Sequence, residues 1–146
     1  MDIEIKPLQG VAGINFGSPI DTVRKYFGVD YKSFRRAPTS VMPCDYFEPL
    51  GVFAYYALPG LLEAIEFVLP ANPGFMKINF LETPFEEIKK ILLAHDPDLE
   101  QSDDGLTSYK LGIGVYAPDA DENPNLPPES VIAFEKGYYD SPGSVP

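Results

Sequence analysis

The chain has 146 residues, 45% of them apolar, a single cysteine and a formal charge of −11. That size and composition predict one domain with a proper core and exclude an internal disulfide or a cysteine-based metal site. The charge balance is +2 over residues 1–37, −4 over 38–95 and −9 over 96–146, and so negative a field repels phosphate backbones and anionic lipid, arguing against nucleic acid and membrane as partners.

The opening segment "MDIEIKPLQG" lacks the basic and apolar regions of a secretory leader. With a lone cysteine it predicts a reducing, cytoplasmic setting. The stretch "GINFGSPIDTVRKYFG" from Gly13 reads as a short strand running into a helix. Ser18 is the expected N-cap and Pro19 the first helical residue, with Asp21 completing a capping box. Ile20, Val23 and Phe27 form one apolar stripe, and Gly28 is the expected stop.

After a proline-containing loop, "PLGVFAYYALPGLLEAIEFV" from Pro49 predicts a hairpin of β-branched and aromatic residues closed at Leu58-Pro59-Gly60. Pro59, Gly60, Glu63 and Glu66 interrupt this apolar tract too often for a membrane span. From Lys77 the pattern returns as "KINFLETPFEEIKKIL". Thr83 caps, Pro84 opens, Glu86 closes the box, and Phe85, Ile88 and Leu92 form the stripe. This second helix is expected to stop near His95, ahead of Pro97.

"SDDG" then signals a tight hairpin turn. Strands are expected within "KLGIGVYA" and "PESVIAFE", joined by the long loop Pro118–Pro128. The chain therefore reads as α+β: two tandem β-α-β-β-β units, about 10–70 and 75–140, sharing one core with helices packed on a mostly antiparallel sheet.

No catalytic constellation emerges, and no enzyme is expected. His95 lies at a helix end beside Asp96, where it complements the helix dipole. Cys44 has no local base and reads as a small buried residue. "DADENP" at Asp119–Pro124 begins like an EF-hand loop, but Pro124 replaces the required glycine and Ser130 the bidentate glutamate. "GIGVY" lies in a predicted strand with no helix after it, so a dinucleotide site is not supported. No cofactor or metal is expected.

What remains is recognition. The proline-rich loop carries Asp119, Asp121, Glu122 and Glu129, and Asp98, Asp103 and Asp104 add to the acidic segment. Tyr116 and the terminal Tyr138, Tyr139 and Asp140 supply aromatic area with hydrogen-bonding tips, a combination enriched at interfaces. These eleven positions are the candidate partner-binding residues. A basic protein is the expected partner, and the residues leave the oligomeric state open.

The segments "GVAGINFG", "SPIDTVRKYFG", "DYF" at Asp45–Phe47, "LGV" at Leu50–Val52 and "LEAIEF" at Leu62–Phe67 resemble a pattern of small bacterial proteins. The ending "GVYAPDADENP…PESVIAFEKGYYD" is similar to that of immunity proteins of bacterial toxin systems, including contact-dependent growth inhibition. The resemblance implies a non-enzymatic immunity protein that covers the active site of a cognate toxin, with a basic nuclease as the expected target. The β-lactamase inhibitor proteins offer an analogy for a two-unit helix-plus-sheet inhibitor, at the level of fold only. Two other readings stay open: an acidic regulatory or scaffold domain, and a small-molecule binder using the sheet near Tyr55, Tyr56 and Tyr116.

Overall fold

Each half of the chain puts one amphipathic helix beside a run of short strands, and the two halves bury their apolar faces together. The computed structural model describes residues 2–140. The strands are β1 (Asp2–Lys6), β2 (Gly10–Val11), β3 (Ile14–Asn15), β4 (Lys32–Phe34), β5 (Cys44–Phe47), β6 (Val52–Ala57), β7 (Leu61–Phe67), β8 (Asn72–Phe75), β9 (Ile78–Asn79), β10 (Glu100–Ser102), β11 (Gly105–Ser108), β12 (Ile113–Tyr116) and β13 (Ser130–Phe134). The helices are α1 (Ile20–Phe27) and α2 (Phe85–His95).

Eight strands form one antiparallel sheet in the order β10-β11-β12-β13-β7-β6-β5-β4. Two four-strand meanders thus meet where β13 pairs with β7, Ala133 opposite Ile65. The short strands on either side of the helices form a second sheet, β3-β2-β1-β8-β9, whose one parallel pairing joins β1 to β8. The architecture is α+β, as expected, and mostly antiparallel. One expectation needs correcting. The "INF" segments belong to this small second sheet and not to the main one, because two-residue strands there pair only with their own hairpins.

The main core lies between one face of the main sheet and the helices and small sheet, and a smaller cluster of Cys44, Tyr55, Ala64, Phe134 and Tyr138 is buried on the other face. Val23 and Phe27 of α1, and Phe85, Ile88 and Leu92 of α2, are buried with Phe47, Val52, Ile65, Phe67, Ile113 and Val131 of the main sheet and Ile3, Ile5, Val11 and Phe75 of the small one. Gly28 ends α1 in the left-handed conformation, at φ 63°, its N–H donating to the Arg24 carbonyl. α2 ends at His95, whose Nδ1 lies 3.0 Å from the Ile91 carbonyl.

The helix starts differ from the expectation. Pro19 and Pro84 occupy the N-cap positions, and neither helix has a side-chain cap. The Ser18 hydroxyl instead donates to the Asn15 carbonyl at 2.7 Å, and the Thr83 hydroxyl to the Asn79 carbonyl at 2.7 Å. With the prolines in the N-cap places, Ser18 and Thr83 stand one residue before the cap, and their hydroxyls close the strand-to-helix turn instead. The first helical N–H groups are satisfied from afar: Ile20 N–H by the Gly60 carbonyl, Phe85 N–H by that of Leu126 and Glu86 N–H by that of Pro124. In both halves, then, the connection between the last two strands of the meander closes the helix end.

Candidate functional site

Alternation along a strand sends successive side chains to opposite faces, and residues paired across an antiparallel ladder share a face. Val52, Ala54, Ile65 and Phe67 face the helices. The other face therefore carries Phe34 (β4), Cys44 and Tyr46 (β5), Phe53 and Tyr55 (β6), Ala64 and Glu66 (β7), and Ile132 and Phe134 (β13). Among the described residues no α-helix or second sheet lies on this face. Arg36 and the short 3-10 helix Tyr138–Asp140 pack over part of it, where Cys44, Tyr55, Ala64, Phe134 and Tyr138 are buried as a second cluster. Phe34, Tyr46, Phe53, Glu66 and Ile132 stay partly exposed.

An uncovered face of an antiparallel sheet ordinarily turns polar. Here it is aromatic. Tyr46 and Phe53 stack at 4.1 Å, nearly parallel, and Tyr55 continues the row at 6.3 Å from Phe53. Phe34 meets Phe53 edge-on. Towards one end Phe134, Tyr138 and Tyr139 form a second group, extended by Tyr109. Arg36 links the two groups. Its guanidinium lies over the Tyr55 ring at 4.1 Å, and its Nη1 donates to the Tyr138 hydroxyl at 3.1 Å. Tyr55 donates its hydroxyl proton to Glu66. Burial, with the Glu66 charge beside it, holds the Tyr55 phenol well above its ordinary range. Across β10–β12 the same face is smaller and more polar, with Glu100, Thr107, Gly114 and the half-exposed Tyr116.

The helix-facing side holds a separate polar knot. Asp45 is fully buried and accepts from Arg24 Nε at 2.8 Å, Arg24 Nη2 at 3.1 Å and the Tyr56 hydroxyl at 2.8 Å. Arg24 also stacks on Tyr31, 4.5 Å from its centroid. This knot pins α1 to the sheet. Tyr56 thus lies on the core side, so the grouping of Tyr55, Tyr56 and Tyr116 on one surface is corrected: neighbours on a strand point apart.

The expected binding residues fall into two regions. Tyr116, Tyr138 and Tyr139 belong to the open face, with Tyr138 buried and Tyr139 partly exposed, its phenol pushed up to about 12 by burial. Asp103 and Asp104 form the β10–β11 turn, where Ser102 donates to Asp104. Asp103 and Asp121 line a groove of about 260 Å³ with Phe85, Glu86 and Lys89. Asp119, Asp121 and Glu122 are exposed on the loop whose backbone closes α2. Glu129 is exposed and its N–H donates to the Tyr116 carbonyl, where the β12–β13 pairing begins. Asp98 stands apart at the opposite end of β10 from this turn, its N–H held by Asp96. The side chain of Asp140 lies outside the described residues.

Phe34, Tyr46, Phe53, Arg36 and Glu66 were not anticipated. The alternation in "VFAYYA" and "LEAIEF" marked strands, but only the pairing order joins their outward residues into one surface. Cys44 is buried on this face and its thiol is pushed up to about 11, chiefly by burial. Among the described residues no three His, Cys, Asp or Glu side chains converge as a metal set, and no helix is long and apolar enough to cross a membrane. No protein-family model, curated protein or solved structure matches the chain.

Proposed function

We propose that this chain is a non-enzymatic binding protein, the immunity partner of a basic bacterial toxin, and that it grips that partner with the open face of its eight-stranded sheet. The observation that carries the reading is the aromatic row of Phe34, Tyr46 and Phe53, left partly exposed on the part of the sheet face that Arg36 and the Tyr138–Asp140 turn do not cover. Exposed aromatic area of this kind is what fills the centre of protein interfaces. Its charge favours a partner of the opposite sign: the chain carries −11, the carboxylates of the β10–β11 turn stand at the polar end of the same sheet, and those of the loop lie by the start of α2. An acidic surface steers to a basic protein and suits a target whose own site holds phosphate, as in a nuclease.

We also infer that the chain is a duplicated unit of hairpin, helix and four-strand meander. Support comes from the matching element order, from the Ser18–Asn15 and Thr83–Asn79 bonds, and from the helix ends closed by the last connection of each meander. Duplication explains how a four-stranded sheet, too small to make a broad docking surface, becomes eight strands wide.

Growth rescue tests the function. Cells expressing the toxin encoded beside this protein should survive when it is co-expressed, and Phe53→Asp, with its fold checked by circular dichroism, should abolish survival. Neutralising Asp119, Asp121 and Glu122 together should slow association and flatten its salt dependence, with little change in dissociation. Failure of the unaltered protein to rescue would remove the immunity reading.

A further inference from the structure

We propose that the centre of the open face is a socket for a guanidinium group supplied by the partner, with Glu66 as its anion. The inference rests on the reading of this face as a docking surface, and names what must dock there. Glu66 stands on β7, beside the midline of the eight strands, directly across from Phe53 on one side and Ile132 on the other. It is half-buried, and among the described residues its carboxylate accepts one hydrogen bond, from Tyr55, and pairs with no Lys or Arg. A carboxylate offers about four lone-pair positions, so an edge remains open.

A protein that covers Phe53 and Ile132 must also cover Glu66. Burying that charge without a cation would cost more than the apolar contacts return. The occupant must therefore bring a positive donor to this point. Arginine fits better than lysine, because its planar fork satisfies a carboxylate with two bonds and it sheds water more readily over rings. The face already holds one such group: Arg36 lies flat on Tyr55.

The test uses N-acetyl-arginine amide and its uncharged citrulline counterpart as probes, read by the methyl resonances of Ile132 and Ala64. The arginine derivative should shift both signals saturably, and about tenfold more weakly in Glu66→Gln, which keeps an acceptor for Tyr55. The citrulline derivative should be about tenfold weaker on the unaltered protein, an arm that needs no variant to fold. No saturable shift, an equal response to citrulline, or an unchanged response in Glu66→Gln would each overturn the socket. The two readings separate cleanly. If Glu66→Gln still rescues growth while Phe53→Asp does not, the socket falls and the docking face stands. If arginine binds but the unaltered protein never rescues, the immunity reading falls instead.

Discussion

Removing Arg24 should cost this protein more than altering the carboxylate it binds, and the size of the difference follows from exposure. The Asp45 side chain is 0% exposed while that of Arg24 is 28% exposed. In Arg24→Met the buried carboxylate keeps only the Tyr56 hydroxyl, and stranding one partner of a buried pair costs about 3–5 kcal/mol. Loss of the guanidinium stacked on Tyr31 adds to this. In Asp45→Asn the amide oxygen still accepts, and Arg24 can turn part of its head to water, so the cost is about 1–2 kcal/mol. For a domain of this length each kcal/mol lowers Tm by about 2–4 °C, giving a fall of roughly 10 °C for the first variant and about 4 °C for the second. The double variant strands no charge and should be more stable than Arg24→Met alone. Urea unfolding followed by circular dichroism measures all three. If Arg24→Met proves no worse than Asp45→Asn, or if the double variant is the least stable, the knot does not hold α1 in the way argued.

Two further outcomes follow from perturbed groups. Burial, and then repulsion from Glu135, raise the Glu63 carboxyl above its ordinary value of 4.5 against the pull of Arg36. A carboxyl raised on folding holds its proton better in the native state, so its contribution is fully present below about 4.5 and is lost as pH rises through the raised value. Glu63→Gln should therefore stabilise the protein at pH 7 and flatten the decline between mildly acidic and neutral pH; an unchanged pH profile would show that Glu63 does not carry it. The Cys44 thiol, pushed from 9.0 to about 11 by burial, should form roughly a hundredfold less thiolate at pH 8 than an exposed cysteine. Alkylation by iodoacetamide, followed by mass spectrometry, should be slow in the native protein and fast in urea. Equal rates would mean that the edge beside Phe34 opens readily.

Much of the fold was readable in local pattern, because periodicity and chain breaks act within a few residues. Val23 and Phe27 at helical spacing, the stop at Gly28 and the hairpin at Asp103-Asp104 all came from such signals. The helix starts misled because Ser18 and Thr83 have two acceptable uses for a hydroxyl, and the choice depends on a tertiary fact: the carbonyls of Gly60, Leu126 and Pro124 already reach the helix ends. The candidate site was less readable still. Phe53 and Phe134 lie far apart in sequence and share a surface only because β7 and β13 pair, while Arg36 meets Tyr138 across 102 positions. Nothing in a short window specifies those pairings.

The long acidic loop illustrates why position in a sequence is a poor guide to the work a segment does. Its backbone is committed: Pro124 and Leu126 satisfy the first N–H groups of α2, as Gly60 does for α1. Its carboxylates Asp119, Asp121 and Glu122 remain exposed near the start of α2. Exposed charges away from the centre of an interface act mainly on the rate of encounter, whereas buried aromatic contacts and a desolvated ion pair act on the rate of escape. The loop and the open face should therefore fail in different ways. If the proposed partner docks as argued, losing the loop's charges should slow association and weaken its response to salt, while losing Phe53 or Glu66 should shorten the life of the complex. On the proposed reading, affinity would rest on the aromatic face and the speed of association on the acidic loop.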